Sequence, residues 1–250
     1  MTVVLETKGL KKYFGGLTVA NDISLLVEQG ARQALIGPNG AGKTTLVNLL
    51  TGVLAPTAGR VFLDGIDITH ESQHRRVALG LVRTFQVNQL FPDLTPLESV
   101  VLSVAQRRGA TSDWWHGLDR DAVTINEAAE LLDRLGLLDC AHEPTRTLPY
   151  GRQRLLEIAL ALAQRPKVLL LDEPAAGIPD GESAELYAQL ADLPSSVSVL
   201  LIEHDMDLVF RFAKRITVLV AGSILVEGPP TAIADNPRVR EVYLGEAAHG

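Results

Sequence analysis

The sequence predicts an α/β fold: a core sheet with helices, interrupted by an inserted helical segment. Three observations predict it. Apolar runs of strand length, Arg32–Ile36, Val168–Leu171 and Val197–Ile202, alternate with helical patterns, and that alternation favours a parallel sheet covered on both faces. A glycine-rich stretch from Gly37 to Gly42 joins the first of these strands to a helix. Between residues 87 and 163 strand signals vanish and helical periods take over.

In chain order, residues 1–36 read as strands and turns, with Thr18–Leu26 extended and a turn at Glu28-Gln-Gly30. Lys43–Thr51 reads as a helix, with Leu46, Leu49 and Leu50 at helical spacing. Arg60–Leu63 and Ile66–Ile68 form a hairpin closed by Asp64-Gly65, a strong turn dipeptide. The inserted segment carries helical patterns over Leu97–Gln106, Asn126–Leu135 and Arg152–Ala163, and a loop over Gly109–Asp119. A helix over Gly181–Leu190 separates the two later core strands. A last hairpin, Ile216–Val220 and Ile224–Glu227, turns at Ala221-Gly222.

Composition bounds the function classes. The chain has 250 residues, 46% apolar and 21% charged, which at roughly 150 residues per domain means one or two domains and enough chain to bury a core. With 23 Lys and Arg against 30 Asp and Glu the net charge is −7, so no nucleic-acid partner bound through overall charge is expected. The single cysteine, Cys140, excludes an intrachain disulfide framework and suits a reducing compartment. No run reaches the roughly 18 apolar residues of a membrane span, and Met1–Glu6 lacks a basic stretch leading into an apolar one, so no secretory signal is expected.

Two motifs carry chemistry. Gly37-Pro-Asn-Gly-Ala-Gly42-Lys43-Thr44-Thr45 matches G-x-x-x-x-G-K-[ST] between a predicted strand and a predicted helix, the context a phosphate-binding loop requires. Its glycines let the N–H groups from Asn39, Gly40, Ala41, Gly42, Lys43, Thr44 and Thr45 turn inward on an anion, and the helix start adds favourable partial charge. Lys43 would reach the β- and γ-phosphates of a nucleotide, and the Thr44 hydroxyl would bind Mg²⁺. The second motif is Val168-Leu-Leu-Leu171-Asp172-Glu173, an apolar strand ending in two carboxylates at the sheet edge where ligands bind. Asp172 would hold Mg²⁺ and Glu173 would polarise an attacking water.

With these residues in place the chain resembles the ATP-binding subunits of ATP-binding cassette (ABC) transporters over nearly its whole length. The resemblance implies a P-loop NTPase core with a mixed sheet, an antiparallel β subdomain and an inserted helical subdomain. The core with its β subdomain is expected over 1–86 and 164–250, and the helical subdomain over 87–163. Phe14, with Tyr13 as the alternative, resembles the aromatic that stacks on adenine. Gln86 resembles the glutamine that contacts Mg²⁺ and senses the membrane subunit. Leu148-Pro-Tyr-Gly-Arg-Gln153 stands in the place of the signature motif, so Tyr150, Gly151, Arg152 and Gln153 are expected to face the nucleotide of a second ATPase subunit. Glu173 resembles the catalytic glutamate and His204 the switch histidine on the γ-phosphate. ATP and Mg²⁺ are the implied ligands.

Two departures stand out. Pro149 replaces the signature serine, and Pro179, beside Asp180, falls where the loop after the catalytic glutamate usually has aspartate. Both lie in elements that serve the ATPase pair, so they read either as tolerated drift, since relatives in amino-acid uptake systems vary at the same places, or as a difference in strength between the two nucleotide sites of such a pair.

Glu173-Pro-Ala-Ala-Gly177, Ile202-Glu-His-Asp-Met206 and Asn236–Gly245 resemble the ATPases of branched-chain amino acid importers. Implied partners are two membrane permeases, a paralogous ATPase or a second copy of the chain, and, indirectly, an external solute-binding protein. The implied location is the cytoplasmic face of the inner membrane, held peripherally. Soluble Fe–S assembly ATPases and lipopolysaccharide export ATPases are the alternatives. Leu90 and Phe91 stand either as anchors for a permease helix or as internal packing of the insertion. His70 and His74, four apart, read as a solvated pair, and Trp114-Trp115 as pins for the Gly109–Asp119 loop.

Overall fold

The computed structural model describes residues 2–84, 90–109, 121–178 and 180–247. Two compact units divide the chain: Met1–Arg83 with Lys167–Glu173 and Pro194–Gly250, and Thr84–Pro166 with Pro174–Leu193. The second unit takes in the segment after Glu173, which the sequence had assigned to the core; the helix there packs against the last helix of the inserted segment.

In the first unit the strands are β1 (Val3–Phe14), β2 (Leu17–Ile23), β3 (Leu26–Glu28), β4 (Arg32–Ile36), β5 (Ala58–Leu63), β6 (Ile66–Asp67), β7 (Leu81–Arg83), β8 (Val168–Asp172), β9 (Ser198–Ile202), β10 (Arg215–Val220) and β11 (Ser223–Gly228). One sheet has the order β11-β10-β4-β9-β8-β7. Its pairs are parallel except for β10 with β11. Every residue of β4, β8 and β9 is buried, as unbroken apolar runs in a parallel sheet must be. The other sheet is antiparallel, β2-β1-β5-β6 with β3 also on β1. Asp64 (φ 49°) and Gly65 (φ 75°) supply the two left-handed residues of its β5–β6 turn.

Helix α1 (Lys43–Thr51) buries Leu46, Val47, Leu49 and Leu50 in a cluster with Leu5, Leu35, Leu170 and Leu200. Its far end is closed by Arg76 on α2 (Gln73–Leu79), a guanidinium only 1% exposed. Arg76 donates to the carbonyls of Leu49, Leu50, Thr69 and Glu71. A cation at the carbonyl end of a helix also meets its partial negative charge. His70 precedes α2 and His74 lies within it, so the two do not share a helix face.

The second unit contains α3 (Pro96–Arg108), α4 (Ala122–Arg134), α5 (Tyr150–Ala163) and α6 (Asp180–Ala191). Thr95 and Glu98 form a capping box at α3, and the Asp121 carboxylate takes the Val123 and Thr124 N–H groups at α4. Back in the first unit, α7 (Met206–Phe212), α8 (Pro230–Ala234) and α9 (Pro237–Ala247) follow β9 and β11. No helix among the described residues is long and apolar enough to cross a membrane.

Candidate functional site

The glycine loop with Lys43, Asp172 with Glu173, and His204 all lie at the carboxyl ends of strands of the parallel sheet, whereas Tyr13 and Phe14 end β1 of the antiparallel one. β4 runs into the glycine loop, β8 ends at Asp172 before Glu173, and β9 leads to Glu203 and His204. This is where ligands lie in open α/β sheets. The loop is close-packed against its surroundings. A Cβ on Gly37 would sit 2.1 Å from the Leu219 carbonyl, and one on Gly42 2.7 Å from the Val19 carbonyl. Gly42, at φ 101°, is the N-cap of α1 and brings no side chain to the helix start. Asn39, Gly40 and Thr44 are exposed and Ala41 is buried. Lys43 Nζ donates to the carbonyls of Gly37 (2.5 Å) and Pro38 (3.1 Å), so its ammonium lies within the loop.

Asp172 is 6% exposed, and its Oδ2 is 2.5 Å from Arg83 Nη2. The same guanidinium reaches Asn48 Oδ1 at 2.9 Å, which ties the end of β8 to α1. Glu173 holds a left-handed backbone, φ 47°, a conformation that costs a non-glycine residue of the order of 1–3 kcal/mol. Its N–H donates to the Ile202 carbonyl at 2.9 Å, which fixes that turn against β9. His204 Nδ1 lies 3.6 Å from Glu173 Oε1 and 3.3 Å from Glu203 Oε2. At the end of β1, Tyr13 and Phe14 are 39% and 49% exposed, and Lys12 Nζ sits 5.1 Å from the Phe14 ring centre. Rings that open to solvent can receive a flat base.

Oxygen donors suit Mg²⁺, which is commonly held by one or two carboxylates, substrate phosphates and water. Thr44 and Asp172 offer that chemistry, and no group of three His, Cys, Asp or Glu among the described residues forms a closed metal cage. The residues present therefore fit Mg²⁺ arriving with a nucleotide better than a permanent metal.

In the second unit, α5 starts at the signature segment. Pro149 is its N-cap and supplies no side-chain hydrogen bond. Tyr150 is 39% exposed, with the Arg154 guanidinium 5.3 Å from its ring centre and Gly177 against its edge. Arg152 pairs with Asp139 at 2.9 Å, and Gln153 Nε2 donates to the Leu148 carbonyl. Gln86, Pro179 and Trp114-Trp115 lie outside the described residues. Phe91 is 65% exposed.

Arg83 and Glu203 are the site residues that sequence reasoning passed over. Each was legible only as a charge beside the end of an apolar strand, which usually marks a solvated turn.

The model of the ABC transporter family matches residues 20–176. The chain belongs to the ABC transporter family. A second model, of the branched-chain amino acid ATP-binding cassette transporter, matches residues 223–249 of this ABC chain. It is 43% identical to the high-affinity branched-chain amino acid transport ATP-binding protein BraF of Pseudomonas aeruginosa, covering 98% of both chains. It is 40% identical to the corresponding LivG protein of Salmonella typhimurium, again over 98% of each. Among solved structures, an ATP-binding cassette of an ABC transporter in its ADP conformation superposes with a TM-score of 0.86 at 29% identity, over 98% of this chain and 100% of that one. A dimeric cassette in a post-hydrolysis state, bound to ADP and Pi, gives a TM-score of 0.74 at 25% identity, over 90% of this chain and 98% of that one. As an ABC ATP-binding subunit the chain is a transport ATPase, and neither the Fe–S assembly nor the lipopolysaccharide export alternative is favoured by these relatives.

Proposed function

We propose that this chain is the ATP-hydrolysing subunit of an importer for branched-chain or chemically related amino acids. The observation that carries the catalytic part is the meeting of Lys43, Asp172, Glu173 and His204 at one edge of one sheet. The names of the relatives carry the substrate part. ATP would lie with its adenine against Phe14 or Tyr13 and its phosphates against the N–H groups from Asn39 to Thr45. Lys43 would exchange the Gly37 and Pro38 carbonyls for phosphate oxygens. Thr44 and Asp172, together with Gln86, would hold Mg²⁺, which when bound offsets phosphate charge. Glu173 would take the proton of the attacking water, and His204 would contact the γ-phosphate. Such positioning and charge stabilisation is most of what phosphoryl transfer requires.

Tyr150, Gly151, Arg152 and Gln153 would complete the nucleotide site of a second ATPase subunit, paralogous or identical. Two permeases, a solute-binding protein outside the cell and a peripheral place at the cytoplasmic face of the inner membrane complete the reading. Exposed Phe91 is a fitting anchor for a permease helix.

Glu173→Gln tests it. Phosphate release is expected to fall by about 100-fold or more, with ATP binding retained and a nucleotide-bound dimer accumulating in light scattering. Hydrolysis at the wild-type rate would remove Glu173 from this role. Loss of labelled leucine uptake on deleting the gene, restored by the wild-type chain, tests the substrate.

A further inference from the structure

Glu203 is a buried charge that the mechanism above does not use. It follows the last residue of β9 and is 2% exposed, and a carboxylate is costly to bury unless it is held by donors. Its Oε2 accepts the N–H groups of His204 (2.8 Å) and Asp205 (3.4 Å) and lies 3.3 Å from His204 Nδ1. One residue on, Asp205 caps α7 by accepting from the N–H groups of Asp207 (2.9 Å) and Leu208 (3.2 Å). The backbone on both sides of His204 is thus pinned, while its side chain is 67% exposed. Packing holds such a ring weakly, and polar contacts must aim it.

Two carboxylates face the same ring nitrogen: Glu203 Oε2 at 3.3 Å and Glu173 Oε1 at 3.6 Å. The Glu203 side chain is 2% exposed and that of Glu173 30%, so solvent screens the first attraction less. We propose that Glu203 is a positioning residue for ATP hydrolysis: it holds His204 by Nδ1, which presents Nε2 to the nucleotide and leaves the Glu173 carboxylate to the attacking water. This rests on His204 and Glu173 acting on the γ-phosphate and the water. An imidazole whose Nδ1–H is given to an acid has its tautomer and ring plane set, and acids orient histidines in this way in hydrolytic and metal sites. Without Glu203, Nδ1 is left to Glu173, and the base gives up to the ring the oxygen that the water needs.

The test uses the full chain carrying Glu203→Ala or Glu203→Gln. In E203A, kcat falls about tenfold or more, in line with losses of outer partners at other sites, while KM for ATP stays within about twofold. In E203Q, whose amide oxygen can still accept from both N–H groups and Nδ1, most of kcat returns. Nitrogen-15 spectra of the nucleotide-free chain, with the His204 signal assigned by His204→Gln, show the proton on Nδ1 in the wild type and, with Glu173 as acceptor, in E203A, and shared between the nitrogens only when Glu173→Ala is added to E203A. An unchanged kcat in E203A overturns the proposal, as does a wild-type ring protonated on Nε2 alone. So does a fall in kcat matched by an equal rise in KM and a lowered melting temperature, which marks a packing role. Should E203A fail to fold, E203Q and the wild-type spectrum still decide. Failure of the underlying reading shows separately, as wild-type ATP hydrolysis that Glu173→Gln leaves untouched.

Discussion

Helices α3 and α4 begin under side-chain caps, Thr95 with Glu98 and Asp121, whereas α1 and α5 begin at Gly42 and Pro149 with none. A helix start has N–H groups without internal partners, and an oxygen-bearing cap satisfies some of them for about 1 kcal/mol. Both of these starts are assigned to phosphate by the motifs, one in each compact unit, although α8 also begins without a side-chain cap, under Pro229. The difference teaches that a helix meant to receive an anion keeps its N–H groups for the ligand and forgoes a cap. The two achieve this differently. Gly42 permits a left-handed turn pressed against the Val19 carbonyl, while Pro149 removes the hydroxyl that a serine would bring.

Altering each start breaks or sharpens this contrast, and the largest effect is expected at α1. Gly42→Ala places a Cβ 2.7 Å from a backbone oxygen at φ 101°, so the loop must shift. Nucleotide affinity measured by titration should fall at least about tenfold, with a loss of stability on the order of 1–3 kcal/mol. Wild-type affinity would mean that the start of α1 does not shape the phosphate site.

At α3 the expectation is reversed. Thr95→Ala should cost about 1 kcal/mol of stability and leave nucleotide affinity unchanged. Backbone and side-chain hydrogen bonds from Thr95 hold the Glu98 carboxyl below its ordinary value. A lowered folded-state value contributes stability above the ordinary carboxylate range and loses it as the pH falls through the lowered value. The melting difference between wild type and Thr95→Ala should therefore narrow in acid.

The smallest change is expected from Pro149→Ser. A restored hydroxyl should raise the melting temperature of the nucleotide-free chain, by a cap worth about 0.5–1 kcal/mol. No rise would show that the start of α5 is already satisfied. In an assembled ATPase pair the same substitution should alter turnover if Pro149 weakens the site it completes.

Much of this architecture was legible where the pattern is strong. The strand over Arg32–Ile36 and the helix over Lys43–Thr51 span the expected residues, because an apolar run, a glycine loop and a leucine period agree there. The turns at Asp64-Gly65 and Ala221-Gly222 adopt positive φ values, which Asp and Gly accept readily and Ala221 only against its own preference. Short pieces escaped: α2 and α7 have seven residues each and β7 three, too few to show a period. The same shortness hid Arg76, since an arginine among polar neighbours reads as surface. At the site, the motif residues could be placed along the chain, but their supports could not. Arg83 meets Asp172 across strands far apart in sequence, which only folding brings together, and Glu203, though next to His204 in the chain, reads as a surface charge until folding buries it. The division into units also escaped, because α6 lies beyond Glu173 in sequence and packs with α5 in space.

Arg76 has a bearing on how this chain can vary. Its planar fork serves four carbonyls from two stretches of backbone at once. A lysine brings one donor centre where the guanidinium brings several in fixed directions, and a shorter or apolar residue leaves all four oxygens facing a void. Position 76 is thus closed to gradual drift, and a lineage that loses this arginine must rebuild the end of α1 and the segment from Thr69 to Glu71 together.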